Sequence, residues 1–159
     1  MCGDFWIHWT ELWIGTADNT LSVRLVAHSS SEGDRMAHKG KIQLLITFVA
    51  TPDKVAEVDR LVASHARWMA ETHYREGSKA LLGYDFAKGP ELANALDPAS
   101  ASTGNTRYVL SEVYESSEGI ADHWQQAQAS WSDFPQMVAL IATCQPQTLH
   151  GGPIAASLW

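Results

Sequence analysis

Apolar and polar positions alternate most regularly across residues 106–114. Tyr108, Leu110, Glu112 and Tyr114 take one parity and Val109, Ser111 and Val113 the other, which predicts a strand. Ser116 and Ser117 come next, and either can accept the free amide protons of a helix start, with Glu118 placed near the positive end of the dipole. Ile120, Trp124, Ala127 and Trp131 then recur at steps of four, three and four, the apolar stripe of an amphipathic helix. A strand therefore feeds directly into a helix that must pack back on a sheet.

The same reading extends along the chain. Residues 42–50 form an almost unbroken apolar run rich in β-branched side chains, as expected of a central strand buried on both faces. Thr51-Pro52-Asp53 predicts a helix start, with Thr51 as cap and Pro52 at the first helical position, where its missing N–H costs nothing. Val55, Val58, Val62, His65 and Met69 continue that helix to about residue 72, and Gly77 closes the region. Residues 80–87 predict a second strand, with Leu82, Tyr84 and Phe86 on one face and Leu81, Gly83 and Asp85 on the other. Residues 88–105, punctuated by Gly89-Pro90 and Asp97-Pro98, predict a long irregular loop of the kind that serves as a lid or binding loop. Pro135 opens a short helix through Ala142. Residues 145–150 suit a last strand, with Pro146 restricting its first part to a sheet edge and Gly151-Gly152-Pro153 breaking it before a tail.

From residue 41 the predicted order is β-α-β-β-α-(α)-β, an α+β, ferredoxin-like split βαβ arrangement with a four-stranded antiparallel sheet. Both main helices fall on one face of such a sheet. The other face must meet water or another sheet, and the apolar content of residues 42–50 favours the sheet. Residues 1–40 differ from the rest, with Trp6, Trp9 and Trp13 crowded near the start and Leu21, Val23 and Leu25 alternating like a short strand. Two readings are open for this segment: an apolar arm that covers a groove, or translation from a start upstream of Met36. The expected division is an arm over residues 1–40, a domain over 41–150 and a tail over 151–159.

Composition narrows the function classes. The 159 residues are 45% hydrophobic and 18% charged, the profile of one globular domain. A formal charge of -7 and the lack of any Lys/Arg cluster argue against a nucleic-acid partner. No apolar run approaches the roughly 18 residues that cross a bilayer, so no membrane partner is expected. Cys2 and Cys144 lie far apart without metal-ligand spacing, which suits free thiols in a reducing cytoplasm.

Residues 107–115 (Arg-Tyr-Val-Leu-Ser-Glu-Val-Tyr-Glu) with Ser117-Glu118-Gly119-Ile120-Ala121-Asp122-His123-Trp124 resemble the strand-and-helix signature of antibiotic-biosynthesis monooxygenase-like domains, members of the dimeric α+β-barrel superfamily. Thr51-Pro52-Asp53-Lys54 after the first strand and Gly83-Tyr84-Asp85-Phe86 in the second are in register with that pattern, and the resemblance covers residues 41–150. It implies a homodimer whose two sheets pack face to face, with a pocket between helices and sheet in each subunit. It also implies oxidation of a small phenolic, quinol-like or polyketide-like aromatic by molecular oxygen without metal, flavin or haem. The alternative on the same fold is a non-catalytic small-molecule binding or dimerisation module. The arm, the 88–105 loop and the tail depart from the family pattern and bear on the shape of the pocket.

Such chemistry needs a base for a phenolic proton, aromatic walls and exclusion of water. His123 is the candidate catalytic base, because an imidazole titrates near neutrality and this one sits beside the apolar stripe of its helix; the plain alternative is a stripe-edge histidine bonded to solvent or backbone. Trp124, Tyr84, Tyr108, Trp68 and His65 are candidate substrate-binding residues. For the tryptophans, including Trp131, the competing role is ordinary core, and for His65 and the tyrosines it is a hydrogen-bond partner inside the protein. His150, next to two glycines, can orient a ligand at a strand end, or simply precede a turn. A metal site is not expected: His65, His123 and His150 belong to three separate elements, and no HxH, HExxH or CxxC spacing occurs.

Overall fold

The computed structural model describes residues 38–158. The readings made for the arm up to residue 37 lie outside the described residues. The elements are β1 (Ile42–Ala50), α1 (Val55–Thr72), β2 (Leu81–Leu92), β3 (Ser102–Tyr114), α2 (Ser117–Ser130), α3 (Phe134–Ala142) and β4 (Gln147–Pro153). All strand pairs are antiparallel and the sheet order is β2-β3-β1-β4. This is an α+β architecture compatible with the ferredoxin-like fold.

Parity along the strands sets the layers. Leu44, Phe48 and Ala50 of β1 and Tyr108, Leu110, Glu112 and Tyr114 of β3 are buried on the side that carries the helices. Leu61 and Met69 of α1, Ile120 and Ala127 of α2 and Met137 of α3 close over Leu44, Leu81 and Tyr114. A second cluster joins Phe48, Val58, Tyr108 and Cys144. Each large apolar side chain removed from water here contributes about 1.5–3 kcal/mol. On the opposite face Leu45, Thr47 and Val49 stand beside Val113, Ser111, Val109 and Arg107, and these remain half-buried within one chain. β1 is thus sealed on its helix face only, rather than on both.

Four local expectations change. Thr51-Pro52-Asp53-Lys54 is a turn, closed by the Lys54 N–H donating to the Thr51 carbonyl at 2.9 Å, and α1 starts three residues after Pro52. Proline's fixed φ suits the second position of such a turn as well as a helix start. In β2, Leu81 pairs with Tyr114 and Gly83 with Val113, so one extra residue bulges out between them. The bulge puts Leu81 on the helix face with Tyr84 and leaves Leu82 37% exposed.

The 88–105 segment is not an irregular loop. β2 runs to Leu92 and β3 begins at Ser102, so the hairpin extends and only residues 93–101 connect it. Pro90 is tolerated because β2 is an edge strand, and Glu91 ties the two strands by accepting from Thr103 and Arg107. Finally, β4 passes through Gly151-Gly152-Pro153. Gly151 takes φ +86°, a register shift opposite Gln43 and Leu44 absorbs it, and Ile154 still donates to the Lys41 carbonyl at 2.8 Å. No helix among the described residues is long and apolar enough to cross a membrane.

Candidate functional site

β3 carries a carboxylate on its buried parity. Glu112 is fully buried and sits in register between Leu44 of β1 and Tyr84 of β2, at the middle of the sheet. Above it, α1 turns His65, Trp68 and Met69 inward. α2 is anchored by Ser116, whose hydroxyl accepts from the Glu118 amide at 3.1 Å, and this start directs Gly119, Ile120, His123 and Ala127 at the sheet. His123 is therefore central to the buried face of α2, not at its edge, and Trp124 is rotated to its flank. Directly after α1, His73 folds back under the same layer.

These elements bring His65, Glu112 and His123 together. His65 Nε2 lies 3.9 Å from Glu112 Oε1, and His123 Nδ1 lies 3.9 Å from Glu112 Oε2. Each neighbour is oriented by a further group. Tyr114 donates its hydroxyl to Glu112 Oε2 at 2.7 Å, Tyr84 Oη lies 3.0 Å from His65 Nδ1, and His73 Nε2 lies 3.0 Å from His123 Nδ1. Trp68 and Trp131 stack at 5.6 Å and wall the cluster on the helix side, each fixed by an indole N–H bond, to Ser130 and to Ser64. Trp124 stands edge-on to His123 and stacks on His150. Two buried polar atoms beside this cluster have no partner: Glu112 Oε1 and Trp124 Nε1.

Burial dominates the electrostatics. It pushes His65 down to about 3, helped by the nearby His73, and His123 down to about 3, helped by His65, His73 and His150. His73 is lowered for the same reason, with Asp122 opposing. Burial pushes Glu112 up to about 7, against the stabilising bond from Tyr114. Tyr84 and Tyr114 are both raised, first by burial and then by the Glu112 charge. His65 and His123 are thus neutral near pH 7, and their approaches to Glu112 are not ion pairs. A neutral imidazole offers one bare lone pair to a proton or a metal ion.

Of the residues singled out from sequence, His123, His65, Tyr84, Trp68 and Trp124 meet here. Tyr108 does not. It lies in the second cluster, stacked on Phe48 at 5.2 Å, and its hydroxyl donates to Asp59 at 2.9 Å. Glu112, His73 and Tyr114 were not singled out. For Glu112 a signal existed, because a carboxylate shared the parity of Tyr108, Leu110 and Tyr114. The sequence also set metal binding aside for want of a local motif, whereas the fold assembles His65, Glu112 and His123 into a group whose ligand atoms all lie within 4.8 Å of one another. A cleft of about 300 Å³ lies alongside, lined by Ala66, Met69, Ala70, Leu81, Gly83 and Tyr84. Tyr84 is the member shared by cleft and cluster. No protein-family model matches the chain, and no curated protein matches it either.

Proposed function

We propose that the chain oxidises a small phenolic or quinol-like aromatic with molecular oxygen, using the cluster around Glu112, and that it works as a homodimer. The observation that carries this reading is the unpartnered carboxylate oxygen of Glu112, buried among aromatic rings and connected through His65 and Tyr84 to a cleft. In the cofactor-free form of this reaction the substrate supplies the electrons once it is deprotonated, so the protein must take up a proton and exclude water. Glu112 fits the proton acceptor better than His123, whose Nδ1 is already hydrogen-bonded to His73 Nε2.

The half-buried sheet face supports the dimer. Leu45, Val49, Val109 and Val113 form its apolar part and Leu149 of β4 extends it. Two such faces packed together give an interface in the hydrophobic, obligate class. A monomeric mass by light scattering at micromolar concentration, with the fold intact, disproves that part.

Oxygen uptake with a panel of hydroquinones tests the chemistry. Glu112→Gln should lower turnover on the order of 10²-fold with a smaller effect on substrate binding. No uptake by the wild-type protein, or unchanged turnover in Glu112→Gln, refutes the oxidation. The second reading, a binding module without catalysis, is favoured by one fact: His65, Glu112 and His123 are each less than 5% exposed and do not themselves line the cleft. Saturable binding of the same compounds without oxygen uptake would establish it.

A further inference from the structure

We propose that His65, Glu112 and His123 form a binding site for one divalent first-row transition-metal ion of the iron-to-zinc class. The inference rests on the reading above that this cluster is the chemical centre, but its test needs no substrate. Three observations carry it, and all are geometric.

The first is the donor set. Two imidazole nitrogens and one carboxylate oxygen suit iron, cobalt and zinc, and disfavour calcium or magnesium, which take oxygen ligands. The second is spacing. With metal–ligand bonds of about 2.1 Å, two donors on one ion lie at most about 4.2 Å apart. His65 Nε2 lies 3.9 Å from Glu112 Oε1 and His123 Nδ1 lies 3.9 Å from Glu112 Oε2, so each ring is within that limit of one oxygen of the same carboxylate. With one oxygen from Glu112, all three ligand atoms lie within 4.8 Å of one another, so any pair beyond the limit closes with a contraction of at most about 0.6 Å.

The third is what surrounds the donors. Glu112 Oε1 is buried and unpartnered, which is costly for a carboxylate oxygen unless something occupies the space it faces. Tyr84 holds His65 by its far nitrogen, Nδ1, and leaves Nε2 turned towards Glu112. Tyr114 fixes the carboxylate through Oε2. Outer hydrogen bonds of this kind are what orient metal ligands and set their tautomer. His123 Nδ1 is hydrogen-bonded to His73 Nε2 at 3.0 Å, a contact that an ion would displace, which leaves His73 as the next donor on offer. The ligands come one each from α1, β3 and α2, so an ion would pin both helices to the centre of the sheet.

The test uses the full chain, stripped of metal with a chelator. Zinc is titrated by calorimetry and cobalt by its visible spectrum and by its effect on the histidine ring signals in NMR. The expected result is one ion per chain, with the largest cobalt-induced shifts on the ring signals of His65 and His123. Glu112→Gln, close in shape, should weaken binding by at least ~10-fold, and Tyr84→Phe, which keeps the ring and removes only the orienting hydroxyl, by about 10-fold. No saturable binding, or cobalt shifts confined to the other histidines, overturns the site. So does unchanged affinity in a folded Glu112→Gln. If Glu112→Gln fails to fold, the wild-type ring shifts and Tyr84→Phe decide by themselves. Metal binding without oxygen uptake sinks the oxidation reading alone, and oxygen uptake without metal binding sinks this one alone.

Discussion

Gly119→Ala should destabilise the protein although it adds a better helix former to α2. Alanine is favoured over glycine in a helix by about 0.8–1.0 kcal/mol, and somewhat less in the first turn. At this position, however, a Cβ would lie 2.7 Å from Tyr114 Cδ1, 3.2 Å from Tyr114 Cβ and 3.1 Å from the Lys79 carbonyl oxygen. Carbon atoms pack best at about 3.5–4.0 Å. The ring cannot swing clear, because Tyr114 is fully buried and its hydroxyl is tied to Glu112 at 2.7 Å. Overpacking of a filled core costs about 1–3 kcal/mol, which at this contact outweighs the helix gain and leaves a net loss of up to about 2 kcal/mol. In a domain of this length each kcal/mol moves Tm by about 2–4 °C. Calorimetry and urea unfolding should therefore show a fall of several degrees with an unchanged m-value. Gly89→Ala is the control: nothing lies within 4 Å of the added Cβ, and its effect should stay within about 0.5 kcal/mol. A Gly119→Ala protein as stable as the wild type, or more so, would show that the α2–β3 contact is loose and that Tyr114 is not what fixes Glu112.

Other substitutions probe the remaining layers. Phe48→Ala, at a fully buried ring stacked on Tyr108, should cost about 3–5 kcal/mol by denaturant unfolding; a loss below 1 kcal/mol would mean that the second cluster is poorly packed. Tyr108→Phe should leave oxygen uptake and metal binding unchanged, since its hydroxyl serves Asp59 and not the cluster; a loss of either would return Tyr108 to the site. Asp133 accepts from Ser64 and Arg60, and the Ser64 bond, the larger influence, holds its carboxyl below the usual 3.8. Its contribution is therefore present above about pH 3.8 and lost as pH falls through the lower folded value, so Tm curves of wild type and Asp133→Asn should differ at pH 6 and converge in acid; curves offset equally at every pH refute the assignment.

How far the chain could be read without coordinates depended on how local each feature is. β1, α1, α2 and α3 were visible because their periodicities are carried by neighbouring residues, and the alternation over residues 106–114 marked the C-terminal two thirds of β3. Apart from the turn at Thr51–Lys54 that delays the start of α1, the misreadings involve pairing across the sheet. Leu81 and Leu82 exchange faces because Gly83, not Leu82, pairs with Val113, and nothing in residues 80–87 alone marks that bulge. Residues 88–105 contain turn-forming residues along much of their length, yet each strand stays extended because the other lies opposite it, with Glu91 bonded to Thr103 and Arg107. Pro90 and Pro153 suggested breaks, but both sit on the outer strands β2 and β4, where a missing N–H need not break the ladder.

The site divides along the same line. Aromatic residues and histidines advertise themselves, and five of the six residues singled out from sequence do converge. What ties them together is a carboxylate that hydropathy treats as a surface residue. Glu112 follows Tyr108 and Leu110 at the inward parity of β3, and only its place between Leu44 and Tyr84 beneath the helices shows that it is fully buried. Burying an acid there is unfavourable, since its charge is desolvated and one oxygen has no partner. A leucine would pack the same volume without that cost. His65 and His123 compound the expense, because each gives up a hydrated, protonatable ring to sit beside the carboxyl. Three such groups on three elements, each braced by a tyrosine or another histidine, are poorly explained as core filling, and the proton and ion sites proposed above would account for them.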